Sequence, residues 1–344
     1  MTMLKDYESG SLDIMPILTI GIPTYNRPDQ LLETVLRLLP DLSREVSLLI
    51  VDNASDIPVS KVLAPIVRLD SSAIRIVRNK WNIGGPANVL RVIELCETDY
   101  LWILSDDDKL SPNCVKTVLD AVCEHREYDF FRFFSRETAK ISEGEISTVV
   151  DLLHAVNSFG QLVWLSNCVF RVEGIRAHLR WAYQYLSSNA PQLVLQLMIL
   201  RSSKRGYIAR NGIVSYVKSA PDLAYDLVRV YAQFPLLLRL PLLWSEKCIL
   251  ASLLRSSGIP SPIRFAALLI RHARVIESKD LQVLYRSAWS DAILGGSLFL
   301  RIWVALAGLA LWISRFSWAV GVTLRLAGRV SIAPAVAEKA MDRL

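Results

Sequence analysis

Along its first 134 residues the chain alternates between two hydrophobic spacings. Mostly apolar runs at 17–22, 46–51, 74–77, 100–104 and 129–134 have the length and the Val, Ile and aromatic content of strands buried on both faces. Between them, segments 29–39, 86–96 and 111–125 place apolar residues three and four apart, the spacing that lines one side of a helix. Pro28 to Gln30, and Ser111 with Pro112, mark helix starts, because the first turn has no intrahelical use for a backbone N–H. Strand, helix and strand at this interval predict an α/β fold around a right-handed, mostly parallel sheet.

Beyond residue 134 the pattern loosens. Residues 135–160 are mixed and loop-rich, 161–171 read as a further strand, 191–200 as a buried helix and 207–217 as an edge strand. After about residue 226 the spacing is helical throughout, interrupted by Pro235, Pro241, Pro260 and Pro262. The chain thus divides into a tail at 1–15, an α/β domain at 16–225 and a helical region at 226–344.

Charge changes the picture of that last region. Residues 229–344 carry 15 Lys and Arg against 6 Asp and Glu, whereas residues 1–228 carry 24 against 27. A basic region on a near-neutral body predicts an anionic surface as partner. Its basic residues alternate with long Leu, Ile, Val and Trp runs, which points to lipid and away from nucleic acid. Within 293–330 the longest uncharged run is the 13 residues 302–314, short of the roughly 20 a spanning helix needs. At about 100° per residue, Arg301, Arg315, Arg325 and Arg329 share one arc with Ser297 and Thr323, while Trp303, Leu306, Leu309 and Phe316 fall outside it. This predicts a helix lying in the membrane interface. Five cysteines without a C-x-x-C pair read as core thiols of a reducing compartment, and a start containing Asp6, Glu8 and Asp13 has no apolar stretch of a secretory signal. Both place the chain in the cytoplasm.

The chemistry gathers at strand ends. Tyr100-Leu-Trp-Ile-Leu-Ser-Asp106-Asp107-Asp108 runs an apolar strand into three adjacent carboxylates, and so much like charge is costly unless a divalent cation shares it. The strand at 46–51 ends in Asp52-Asn53, and the one at 17–22 ends in Pro23-Thr24-Tyr25-Asn26-Arg27. Three strands therefore deliver polar groups to one sheet edge, where open α/β folds bind ligands.

With these turns, the Val51-Asp-Asn-Ala-Ser-Asp56 segment and the Asn79-Lys-Trp-Asn82-Ile-Gly84-Gly85-Pro-Ala-Asn88 loop in view, the chain resembles family 2 glycosyltransferases of the GT-A fold over roughly residues 16–220. The Ser-Asp-Asp-Asp strand end is similar to that of O-antigen cluster transferases, abequosyltransferase-like members among them. The resemblance implies that Pro23, Thr24, Tyr25 and Asn26 line a nucleotide pocket and that Asp52 accepts a hydrogen bond from the base. Asn82, Gly84 and Asn88 would close over ribose and phosphates, and Asp106 to Asp108 would hold Mn2+ or Mg2+ across the diphosphate. The usual family strand end reads Asp-x-Asp-Asp, and here Ser105 takes its first place. The ligand pair is then Asp106 with Asp108 or Asp107 with Asp108; the expectation is the former, with Asp107 on sugar or ribose hydroxyls.

An inverting enzyme also needs a carboxylate to take the acceptor's proton. The family carries it on a turn opening a helix, and the matching place here, Ser187-Ser-Asn189-Ala-Pro-Gln192, has none. Glu173 and Asp151 are the remaining candidates. Trp164, Trp181, Tyr183 and Tyr185 offer rings for an acceptor sugar or for the core, and His125, His154 and His178 show no metal-ligand spacing. The reading is a metal-dependent hexosyl or deoxyhexosyl transferase using a UDP-, dTDP-, GDP- or CDP-linked donor. Its acceptor would be a glycan, lipid-linked, in surface polysaccharide assembly at the cytoplasmic face of the inner membrane. The alternative is a non-catalytic nucleotide-sugar-binding or scaffold member of the same assembly complex.

Overall fold

The computed structural model describes residues 16–66, 73–134, 143–156, 158–215 and 233–256. In chain order its strands are β1 (Leu18–Thr24), β2 (Val46–Asp52), β3 (Ile74–Arg78), β4 (Tyr100–Ile103), β5 (Lys109–Leu110), β6 (Phe130–Phe133), β7 (Gly144–Ile146), β8 (Cys168–Arg171), β9 (Gly206–Ala209) and β10 (Val214–Ser215). Eight of them form one sheet in the order β3-β2-β1-β4-β8-β6-β9-β7, and β5 pairs with β10 separately. β1 runs parallel to β2 and β4, β2 to β3, and β6 to β9; β8 is antiparallel to both β4 and β6, and β7 to β9. The sheet is thus largely parallel, with two reversed strands, β8 near its middle and β7 at its edge.

Helices cover both faces. They are α1 (Pro28–Leu38), α2 (Val59–Leu63), α3 (Gly85–Leu95), α4 (Cys114–Glu124), α5 (Val149–His154), α6 (Phe159–Val163), α7 (Val172–Arg176), α8 (Leu179–Gln184), α9 (Pro191–Arg201) and α10 (Trp244–Ser256). The alternation of strand side chains sorts the core into two layers. Leu48, Ile50, Tyr100, Trp102 and Val169 meet α1, α2 and α4 on one face, whereas Leu49, Val51, Leu101, Ile103 and Phe170 meet α3 and α5 to α10 on the other. Because both faces are covered, the central strands are mostly apolar on both sides, with Thr19 in β1, Ser47 in β2 and Arg132 in β6 as polar exceptions within them. α1 begins with Pro28 in its first turn, followed by Asp29 where the helix dipole favours a negative charge.

One glycine sets the distance between layers. A Cβ on Gly21, in the middle of β1, would stand 2.3 Å from Val92 Cγ1 of α3 and 2.9 Å from Leu101 Cδ1 of β4. Its absence lets α3 lie close on the sheet and brings that helix's N-terminus to the sheet edge where β1 and β2 end.

Several expectations need correction. Residues 161–171 are not one strand: 161–163 finish α6, Leu165–Asn167 form a 3-10 turn, and only Cys168–Arg171 pair as β8. The expected edge strand at 207–217 is two strands, of which β9 is internal between β6 and β7. α4 starts at Cys114, after Asn113 in a left-handed conformation (φ 57°), so Pro112 precedes the helix. Residues 233–256 pack on the same core: Phe234 meets Phe159 edge-on at 4.7 Å, and Tyr185 Oη donates to Arg239 O at 2.9 Å. No helix among the described residues is long and apolar enough to cross a membrane. The helix expected at 293–330 lies outside the described residues.

Candidate active site

Strand register assembles the site. Thr24 stands opposite Asp52, and Asp52 opposite Arg78, at the ends of β1, β2 and β3. Leu104 N donates to Gly21 O at 2.9 Å, so the chain leaves β4 alongside β1 and carries Ser105 to Asp108 past Thr24. The three expected strand ends therefore meet.

The three carboxylates then diverge. Asp106 is the most enclosed, taking Thr24 Oγ1–H on Oδ2 at 2.6 Å and Arg27 on Oδ1 at 2.9 Å, while its backbone oxygen accepts from Thr34 Oγ1 at 3.1 Å. Burial raises the Asp106 pKa, with Arg27 and Thr24 opposing the rise. Asp107 accepts from Arg27 at 2.6 Å and from Ser105 Oγ at 2.6 Å, and at 21% its side chain is four times as exposed as that of Asp106 at 5%. Asp108 turns the other way, where Oδ2 accepts from Trp164 Nε1 at 2.9 Å and Ser166 Oγ at 2.5 Å. Burial pushes Asp108 up to about 6 against those two hydrogen bonds, and Asp107 and Asp106 add to the rise. Neither Arg27 nor Ser166 carries a local signal that ties it to the acidic run. Arg27 bridges the cluster, and the contact to Ser166 spans 58 positions, which no local pattern could have signalled.

Asp52 is 1% exposed and organises its own loop. Oδ1 accepts from Ser55 N at 2.8 Å, and Oδ2 from Val59 N at 3.2 Å and from Arg78 Nη1. Its carboxylate is thus enclosed by donors from its own loop and from Arg78. Arg78 also donates to Ser55 O at 2.7 Å and is the more accessible partner. Beside it four asparagines interlock: Asn79 donates to Asn53 at 3.0 Å and Asn88 at 2.8 Å, Asn53 donates to Asn82 at 2.8 Å, and Asn88 donates to Val51 O at 2.9 Å. Asn82 and Asn53 in turn accept from Gly84 N and Ile83 N, holding a loop in which Gly84 has φ 85°. Only glycine takes that value readily.

Asn26 (φ 53°) clasps Asp56, donating to Oδ2 at 3.1 Å and accepting from its N–H at 2.7 Å. Between these loops lies a cleft of about 210 Å³ lined by Thr24, Asn26, Arg27, Pro28, Ser55, Asp56, Ile57 and Val59. Tyr25, Ile57, Trp81 and Ile83 are exposed along the same three loops, Trp81 by 69%. Pro23 is half-buried at the end of β1.

The other candidates are committed elsewhere. Asp151 closes a capping box with Thr148 at the start of α5; burial raises its pKa, but the bonds from Thr148 and Ser147 outweigh this and hold it below the usual range. Glu173, its side chain 84% exposed, pairs with Arg171. Asn189, left-handed at φ 55°, donates to Gln233, and residues 187–192 bring no carboxylate. Of the four rings, Trp164 reaches the acidic cluster, whereas Trp181 and Tyr185 pack on the core and Tyr183 donates to Glu94 at 2.7 Å.

Residues 19–181 match the family model Glycosyl transferase family 2. A 122-residue stretch is 28% identical to abequosyltransferase RfbV of Salmonella typhimurium, covering 32% of this chain and 36% of that protein. The match thus spans little more than a third of the relative. Among solved structures, S. aureus TarS in complex with UDP-GlcNAc superposes with a TM-score of 0.59 at 13% identity, over 88% of this chain and 92% of that one. The mannosyltransferase PcManGT from Pyrobaculum calidifontis, in complex with GDP-Man and Mn2+, does so with 0.52 at 13% identity, over 90% and 86%. At such identities the likeness establishes the fold.

Proposed function

We propose that this chain, whose residues 19–181 form a family 2 glycosyl transferase domain, moves a sugar from a nucleotide-sugar donor to a glycan acceptor. The observation that carries the reading is the meeting of the β1, β2 and β4 ends around Asp106 to Asp108, on a fold shared with proteins holding UDP-GlcNAc and GDP-Man. Among the described residues no group of three or more His, Cys, Asp or Glu side chains is arranged to hold a metal alone. One or two carboxylates completed by phosphate oxygens are the common way of binding Mg2+, and hard oxygen donors suit Mn2+ equally. The residues present fit such a cation. We assign it to Asp107 and Asp108, because Asp106 is the most enclosed of the three and is spent on Thr24 and Arg27. When bound, it would neutralise charge on the departing diphosphate. Arg27 keeps the cluster assembled, Trp164 and Ser166 orient Asp108, and the asparagine lattice fixes Asn82 and Gly84 to close over ribose and phosphates. Arg78, paired with Asp52 and the more accessible of the two, would reach the base together with it.

The lipid-linked acceptor and the role in surface polysaccharide assembly rest on the likeness to RfbV and on the basic, apolar C-terminal sequence. The same sequence supports a peripheral position at the cytoplasmic face of the inner membrane. The missing carboxylate at residues 187–192 favours a second reading, a member that binds nucleotide-sugar without transferring it. Purified protein offered UDP-, dTDP-, GDP- and CDP-linked sugars with a lipid extract, with and without Mn2+, decides between them. Donor-dependent product supports transfer. Stabilisation by a nucleotide-sugar without product supports the second reading, and neither response removes both.

A further inference from the structure

We infer that Arg132 is a positioning residue for Asp108, acting through the backbone of residues 161–168; this rests on Asp108 belonging to the cation and diphosphate site proposed above. Arg132 is the third residue of β6 and is 0% exposed. Among the described residues its guanidinium meets only neutral groups. It donates to Leu162 O at 3.2 Å, to Gln161 O and to Cys168 Sγ at 2.8 Å, lies 5.7 Å over the Phe134 ring, and leaves Nε unpaired. A buried cation without a carboxylate is expensive, and what it holds in return is one stretch of chain.

That stretch is the part of the expected strand in which no ladder forms before Cys168, so its carbonyls lack strand partners and are taken by side chains instead. Arg132 takes 161 and 162, Gln192 of α9 takes Val163 O, and Trp102 Nε1 takes Ser166 O at 2.8 Å. Cys168, which accepts from Arg132 and from Gln196 Nε2 at 3.1 Å, donates back to Trp164 O at 3.4 Å. Held this way, the segment presents Trp164 Nε1 and Ser166 Oγ to Asp108, and Ser166 Oγ also accepts from Ser105 N at 2.9 Å. Both ends of the acidic run are thus fixed from a segment that Arg132 clamps.

The test uses the full chain, with Mn2+ and UDP or GDP as probes and the 15N indole signal of Trp164, assigned by its loss in Trp164→Phe, as a direct report on the contact to Asp108. Arg132→Met should shift or broaden that signal and weaken Mn2+-dependent nucleotide binding about tenfold, as loss of a residue supporting a metal ligand does, while nucleotide affinity without metal stays at the parent's value. Ser166→Ala should act alike, and the double variant should bind no more weakly than the weaker single one, since both act on one contact. A purely structural arginine would instead give additive losses that ignore the metal. An unmoved indole signal, or additive losses, overturns the inference. Should Arg132→Met not fold, Arg132→Lys, with one donor nitrogen in place of three, serves for the same measurements. If the parent shows no Mn2+-dependent nucleotide binding, the metal site is refuted, and the indole signal alone decides whether Arg132 holds the segment.

Discussion

Three adjacent aspartates do three different things, and each makes its own prediction. Asp106→Ala removes the buried acceptor of Thr24 and Arg27, so it should cost about 1–3 kcal/mol in denaturant unfolding. Asp108→Ala relieves repulsion but orphans Trp164 Nε1 and Ser166 Oγ, so it too should cost about 1–3 kcal/mol, and it should abolish the effect of Mn2+ on nucleotide binding. If that variant binds nucleotide with the parent's metal dependence, the cation does not sit there. Asp52→Ala orphans Ser55 N and Val59 N; it should lower stability by about 2 kcal/mol and weaken binding equally with and without metal. The acidic run was plain in the sequence, because three carboxylates after an apolar strand have few other uses. The sealing of Asp52 was not, since it depends on Arg78, 26 positions away and aligned only by the β2–β3 register.

Elements were legible where hydrophobic spacing was regular. The five strands and three helices before residue 134 formed as expected, because strands covered on both faces and helices with one apolar side leave distinct periods. The segment 161–171 misled because Val163, Trp164 and Leu165 give strand-like apolarity, while the polar side chains that hold it apart, Arg132 and Gln192, lie on other elements. Packing between elements gives a sharper test. Gly21→Ala sets a methyl against Val92 and Leu101, which should destabilise by about 1–3 kcal/mol. It should also loosen nucleotide binding, since α3 carries Asn88 and the end of the Gly84 loop. Val92→Ala in the same chain should recover part of both losses. Failure of the double variant to recover either would mean that α3 and β1 are not held at this distance by Gly21.

For the whole molecule, the transferase proposed above must also reach its acceptor, and the C-terminal sequence is the argument for how it would do so. Residues 229–344 carry the chain's positive excess, and within them Arg301, Arg315, Arg325 and Arg329 fall in one helical arc with Trp303, Leu306, Leu309 and Phe316 outside it. Each arginine near an anionic surface contributes on the order of 1 kcal/mol, and a buried apolar side adds to it. Changing the four arginines to glutamate should therefore release the protein from vesicles containing anionic lipid. High salt should release the parent only in part, because screening weakens the charge contribution and leaves the apolar one. Full cosedimentation of the glutamate variant would show that this arc is not the anchor. If the parent itself stays in solution with such vesicles, the arc faces protein rather than lipid, and a soluble glycan becomes the acceptor to test first.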